Sequence, residues 1–298
     1  MNIKTFLNDE CAAVETAMAQ FMPEATGLFA RHIEAMRYSL FAGGKRIRPI
    51  LCLAAAASIT ESPKTRNDLL PVACALEFIH TYSLIHDDLP AMDDDALRRG
   101  KPTNHILFGE AAAILAGDGL LTDAFSLLSR PQQSGLPADT QLRIVHAVAT
   151  AAGSFGMVGG QALDIANEQT EISFDLLQSI HKSKTGALIT CAVEIGGIGA
   201  GASEHQLKSL ISYGNHLGLA FQIVDDLLNA TSTTEQLGKA AGSDAQRGKS
   251  TYPAYFGIDT TRTLARDAVD MAIHALEEFD HKAAPLRELA EYIYTRSH

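Results

Sequence analysis

An all-α bundle is the fold class this chain predicts, and three observations predict it. Apolar residues recur at helical turn spacing along almost the whole length, as Phe6, Cys11, Val14 and Met18 do at the start. Alternating β-branched stretches of convincing length are absent from the sequence. The 298 residues are 46% hydrophobic and 20% charged, with mean hydropathy +0.03, enough apolar material for one large core. About ten or more helices are expected, without internal repeats, in one domain or two.

The elements follow in order. Residues 3 to 41 read as one or two helices with a break at Pro23, and the helical pattern stops at Gly43-Gly44. Lys45, Arg46 and Arg48 come next, before Pro49. Paired glycines let a backbone approach a ligand, and such a cation cluster in an acidic chain suits a phosphate-rich partner or, more plainly, caps the preceding helix. The segment follows no strand and lacks a G-K-S/T ending, so it is not a Walker loop. Residues 49 to 60 form an Ala-rich helix that should be wholly buried, and residues 68 to 88 the next. On the latter, His80 lies seven residues before Asp87, two turns away on nearly the same face, either as a core histidine or as a ligand contact.

Residues 105 to 129 carry another apolar helix, and Ser129 to Asp139 a surface loop. A helix from Gln141 to residue 166 holds Gly159 and Gly160, which permit close helix approach. It also holds Gln161 and Asp164, polar groups on one face that need partners if buried. Lys184, Thr185 and Gly186 interrupt the helical run of residues 173 to 197, where a glycine costs about 1 kcal/mol relative to Ala and marks a kink or a ligand contact. A turn at Gly197 to Gly201 leads to a long helix over 204 to 228, ending in Phe221, Gln222, Asp225 and Asp226. A polar loop with Lys239, Asp244, Arg247 and Lys249 is long enough to act as a cover. Helices over 260 to 281 and 284 to 295 close the chain.

Charge and cysteine usage narrow the function classes. The 35 acidic against 24 basic residues leave −11, which argues against a nucleic-acid surface. Cys11, Cys52, Cys74 and Cys191 are widely spaced and form no C-x-x-C, as expected of free thiols in a reducing cytoplasm. No signal peptide and no uninterrupted apolar membrane span is read, so membrane insertion is not expected.

The stretch Glu77 to Pro102 concentrates the chemistry: an apolar helix ends in Asp87, Asp88, Asp93, Asp94 and Asp95, followed by Arg98, Arg99 and Lys101. Five close carboxylates repel unless cations neutralise them, so this is either a solvated acidic turn or a metal site. Asp87 and Asp93 are six apart and would diverge on an unbroken helix, but Pro90 disfavours helix at Leu89 and lets Asp93 swing back. Oxygen ligands favour Mg²⁺, which bridges carboxylates to phosphates. With Asp225 and Asp226 facing them, they would cage several Mg²⁺ ions and a polyanion above an apolar floor. Such a pocket suits a prenyl diphosphate better than a nucleotide.

On these motifs the chain resembles the bacterial trans-prenyl diphosphate synthases of the farnesyl diphosphate synthase group, over essentially its full length. The resemblance implies a single domain, residues 1 to 298, folded as an isoprenoid synthase helical bundle around a central cavity, usually a homodimer. It implies that Asp87, Asp93 and Asp225 bind Mg²⁺, three ions per site with Mn²⁺ able to substitute, and that Asp88 and Asp226 support them. Gly44, Lys45, Arg48, His80 and Arg99 would grip isopentenyl diphosphate. Arg98, Gln161, Lys184, Thr185, Gln222, Lys239 and Lys249 would hold the allylic diphosphate, the last five of that set (Lys184 onward) as the catalytic group. The implied reaction ionises the allylic diphosphate, adds the isopentenyl double bond to the cation and loses a proton, giving (E,E)-farnesyl diphosphate. Tyr82 and Ser83, below Asp87 on the helix, would set the chain length. One departure stands out: the second motif ends in Asn229 where the family has aspartate, one negative charge fewer. Geranylgeranyl diphosphate synthesis, a terpene cyclase and a non-catalytic synthase subunit remain alternatives.

Overall fold

A computed structural model describes residues 2–130, 135–168, 170–231 and 250–295. Helix α1 (Ile3–Phe21) begins where Asn2 accepts hydrogen bonds from the N–H groups of Lys4 and Thr5 at 3.0 and 3.2 Å, satisfying two donors that the helix itself cannot. It ends just before Pro23, and α2 (Ala30–Leu40) follows. Helix α3 (Ile47–Ile59) is buried along nearly its whole length, as its composition predicts.

Helix α4 (Pro63–Asp87) starts five residues earlier than the sequence reading placed it. Ser62 caps the N–H of Thr65 and Pro63 occupies the first turn, where its missing donor costs nothing. Pro71 lies inside the helix.

The expectation of no strands needs a small correction. Leu97–Arg98 and Lys101–Pro102 form β1 and β2 of a two-residue hairpin, because Arg99 and Gly100 both adopt positive φ, 53° and 74°. That turn matches the right-handed twist of paired strands. Two expected helices are each divided. Gly109, at φ 90°, separates α5 (Asn104–Phe108) from α6 (Glu110–Ser129). The turn at Gly153 and Gly156 separates α7 (Ala138–Ala152) from α8 (Met157–Ala166).

The break expected near Gly186 is a π-helical segment, Lys182–Gly186, joining α9 (Phe174–His181) to α10 (Ala187–Gly199) without interrupting the helix path. Helix α11 (Glu204–Thr231) runs past the expected end. Helix α12 (Tyr252–His274) starts eight residues before the expected 260, with Thr251 as N-cap and a kink at Gly257. Helix α13 (Ala284–Thr295) matches its expected span. One apolar core runs from Leu7 to Ile293, with α10 packed between α3, α7 and α11.

Three helical stretches, Pro63–Asp87, Glu110–Ser129 and Ala138–Ala166, are long and apolar enough to cross a membrane by length and composition, which qualifies the sequence reading. In α4 that apolarity serves the interior, since 72% of the window is buried.

Candidate active site

The C-terminal end of α4 does what Pro90 predicts. The N–H of Asp93 donates to the Asp87 carbonyl at 2.8 Å, folding the acidic turn back over the helix end. Burial pushes the Asp87 carboxyl up to about 6, and the neighbouring charges of Asp93 and Asp88 act in the same direction while Lys184 pulls against them. Lys184 is therefore close enough for its charge to be felt at Asp87, although the two belong to different parts of the chain. On the far side, burial takes the His181 imidazole down to about 4, and it senses Asp164, Asp225 and Lys184. The ends of α4 and α11 and the π-segment thus face one another.

The carboxylates do not form a ready-made cage. Among the described residues no three acidic, His or Cys side chains are grouped closely enough to hold an ion. Like charges in a partly dry site separate, and two of the five carboxylates expected at the metal (Asp87, Asp88, Asp93, Asp225 and Asp226) hold other partners. Asp88 is buried and accepts both hydrogen bonds from the Arg98 Nε, at 2.7 and 2.9 Å, with a further Arg98 contact at 2.5 Å. Asp226 is buried and accepts from the Tyr252 N–H at 2.9 Å, tying α11 to the start of α12. Asp87, Asp93 and Asp225 carry oxygen donors of the kind Mg²⁺ takes, and the raised Asp87 carboxyl is a group whose charge a divalent cation would relieve. In chemistry, though not yet in arrangement, these oxygen donors suit the ion.

A second region is basic. A cavity of about 550 Å³ is lined by Gly44, Lys45, Arg48, His80 and Arg99, the five residues expected to meet one substrate, together with Arg46, Glu77, Ile189 and Phe221. Burial drives the Arg48 guanidinium down, aided by the Arg99 charge, and its buried Nε has no hydrogen-bond partner. Burial and the surrounding arginines hold His80 well below its usual value, so it is neutral. The Arg99 guanidinium lies over Gly44, where an added Cβ would sit 2.8 Å from its Nη1. Arg46 and Arg99 both have positive φ, 50° and 53°, a backbone cost that accompanies functional geometry.

Sequence reasoning missed Glu77, Ile189 and Phe221 as members of this region, and had Arg46 only as one of the clustered cations. Arg46, 1% exposed, pairs with Glu77 at 2.9 Å and Glu15 at 3.0 Å, so it holds the loop rather than offering its charge to a ligand. A lone glutamate three residues before His80 in an apolar helix was the available signal. Other expected residues fall near the acidic end. Lys184 pairs with Asp164 at 2.7 Å, Thr185 adjoins it on the π-segment, and Gln161 on α8 keeps a buried Oε1 without a partner. Gln222 is half-buried on α11, one turn before Asp226, and Asn229 is buried on the same helix. Tyr82 is buried, edge-on to His86 at 5.6 Å between centroids, and the Ser83 hydroxyl donates to the His80 carbonyl at 2.9 Å. Lys239 and Lys249, with the rest of the expected covering loop, lie outside the described residues.

An all-α protein with half-buried carboxylates beside one lysine-bearing turn and a cavity of arginines next to it is equipped for substrates carrying phosphate groups. Residues 30–291 match the model of the polyprenyl synthetase family, and the chain belongs to that family. It is 44% identical to a farnesyl diphosphate synthase of Geobacillus stearothermophilus over 100% of this chain and 99% of that one. It is also 44% identical to a geranylgeranyl diphosphate synthase of Cyanophora paradoxa, over 99% and 97%. The crystal structure of an FPP/GFPP synthase from Zymomonas mobilis superposes with a TM-score of 0.87 at 37% identity, covering 98% of this chain and 99% of that one.

Proposed function

We propose that the protein is a trans-prenyltransferase that condenses isopentenyl diphosphate with dimethylallyl diphosphate, and then with geranyl diphosphate, to give (E,E)-farnesyl diphosphate. The observation that carries this reading is the adjacency of two differently built anion sites: the 550 Å³ basic cavity, and the acidic turn whose Asp87 is felt by Lys184. A terpene cyclase has no use for the first. Lys45, Arg48, Arg99 and neutral His80, with Gly44 allowing close approach, hold isopentenyl diphosphate there without metal. Lys184, Thr185, Gln222 and Gln161, with Lys239 and Lys249, hold the allylic diphosphate. Arg98 reaches the same group from its place between Asp88 and Asp95.

Asp87, Asp93 and Asp225 would hold Mg²⁺, supported by Asp88 and Asp226, with three ions per site and Mn²⁺ as a substitute. When bound, it supplies positive charge that stabilises the departing diphosphate. The protein's own contribution is to orient that diphosphate with Lys184 and Thr185, to keep the allylic carbon in apolar surroundings, and to fix the isopentenyl double bond in line with it. The unpartnered Gln161 Oε1 is an acceptor suited to the positive charge that develops there. The proton lost at the end passes to the released diphosphate.

We take the chain as a single domain and a homodimer in the cytoplasm. Support comes from the exposed apolar side chains of Ile106, Leu107, Ile114 and Leu115 on α5 and α6, and from four free cysteines. The similarity to a geranylgeranyl diphosphate synthase favours that product as the second reading. Incubation with isopentenyl and dimethylallyl diphosphates and Mg²⁺, with products identified by mass, separates the readings. Farnesyl diphosphate supports the first and geranylgeranyl diphosphate the second. A cyclic hydrocarbon or no product would refute both.

A further inference from the structure

We propose that the face of α8 bearing Gly160 and Asp164 is a positioning surface for Lys184, setting where its ammonium meets the allylic diphosphate. The inference rests on the reading of Lys184 as a diphosphate contact. Gly160 and Asp164 are four residues apart and so share one face of α8. At Gly160 the backbones nearly touch: an added Cβ would lie 2.3 Å from the Lys184 nitrogen and 2.7 Å from its Cα. One turn on, Asp164 accepts a hydrogen bond from the Lys184 Nζ at 2.7 Å, with both side chains about three-quarters buried. One helix face therefore fixes both the backbone and the tip of the same lysine.

The end of the π-segment is also closely packed. Gly218 on α11 faces Gly186, where an added Cβ would come within 2.9 Å of the Gly186 Cα. Lys182–Gly186 is thus pressed between two glycines from different helices. A π-segment widens the helix and turns its side chains away from the positions an α-helix would give them, which is why such segments collect at functional sites. Here the widened turn carries Lys184 and Thr185. The Asp164 carboxylate holds the ammonium in place in the ligand-free protein while leaving it other N–H donors for a phosphate. A methyl group at position 160 would displace the lysine without removing any group that touches substrate.

The test is steady-state kinetics of the full-length protein with geranyl and isopentenyl diphosphates. For Gly160→Ala the KM for geranyl diphosphate should rise by about tenfold to a hundredfold, the penalty expected of displacements near 1 Å. The KM for isopentenyl diphosphate should stay within about twofold, because its cavity does not include this turn. If the buried methyl prevents folding, Asp164→Asn, which keeps the shape, reads the same signature, and Asp164→Glu should recover part of the loss. A merely structural role would raise both KM values together or only lower Tm, and either result in a folded variant overturns the proposal. Lys184→Ala serves as the control. An unchanged geranyl diphosphate KM there would remove the reading beneath the inference. A raised value there, with normal kinetics in Gly160→Ala and Asp164→Asn, would overturn the inference alone.

Discussion

Asp87 carries a cost that the ligand-free protein bears at neutral pH. Its folded carboxyl is raised to about 6 from an ordinary value of 3.8, mainly by burial. The folded state therefore binds the proton more tightly than the unfolded state, and the stability this confers is present below the unfolded value and lost as pH rises through 6. Asp87→Asn should stabilise the metal-free protein at pH 8 by roughly 1–3 kcal/mol and have little effect near pH 3.5, measured by urea unfolding. The same substitution, like Asp225→Ala, should lower kcat by a factor of about a hundred or more, since charge stabilisation at the leaving group is lost. An Asp225→Ala protein with near-normal turnover would disconnect α11 from the chemistry. Arg46 behaves oppositely. Arg46→Ala strands Glu77, 2% exposed, without its partner and should cost about 3–5 kcal/mol in the same unfolding experiment. The sequence showed Arg46 only as one of three clustered cations. That Arg46 is paired with Glu77 and Glu15 while the Arg48 Nε has no partner is something no spacing reveals.

At the scale of elements, α4 joins both halves of the site: Glu77 and His80 border the basic cavity, and Asp87 ends the helix at the acidic turn. Tyr82 and Ser83 lie between, with Tyr82 about 7.5 Å along the axis from Asp87 at 1.5 Å per residue. A hydrocarbon tail anchored at Asp87 and growing along this helix meets Ser83 and then the buried Tyr82 ring, which His86 backs edge-on. Tyr82→Ala should shift the products from farnesyl towards geranylgeranyl diphosphate and longer, and Ser83→Phe towards geranyl diphosphate, read by mass. If both variants stay active with unchanged products, another wall sets the length. Helix existence was legible because apolar periodicity spans these segments. Their ends were less so: the first residues of α4, Pro63 to Asn67, carry no apolar side chain beyond the proline, and the glycine breaks at 109 and 153 to 156 lie in runs whose apolar pattern continues across them. The π-segment showed only as a glycine out of place, since α and π turns differ by hydrogen-bond partner and not by composition.

For the molecule as a whole, the acidic and basic motifs were visible as separate stretches, whereas their adjacency was not. Lys184 reaches the neighbourhood of Asp87 across ninety-seven residues of chain because α8, α10 and α11 pack around the π-segment. Nor could the sequence reveal that Asp88 is bonded to Arg98 and Asp226 to the Tyr252 N–H. The central claim is that one chain holds two diphosphates by different means, cations alone in one place and carboxylate-held metal with Lys184 in the other. Calorimetric titration with and without Mg²⁺ addresses it directly. Isopentenyl diphosphate should bind in EDTA and lose affinity by about tenfold or more in Arg48→Ala, whose guanidinium bonds to a charged group are each worth about 1.5–3 kcal/mol. Geranyl diphosphate should bind tightly only when Mg²⁺ is present, and should lose that dependence in Asp87→Ala. Isopentenyl diphosphate binding that requires Mg²⁺, or geranyl diphosphate binding indifferent to it, would contradict the two-site account.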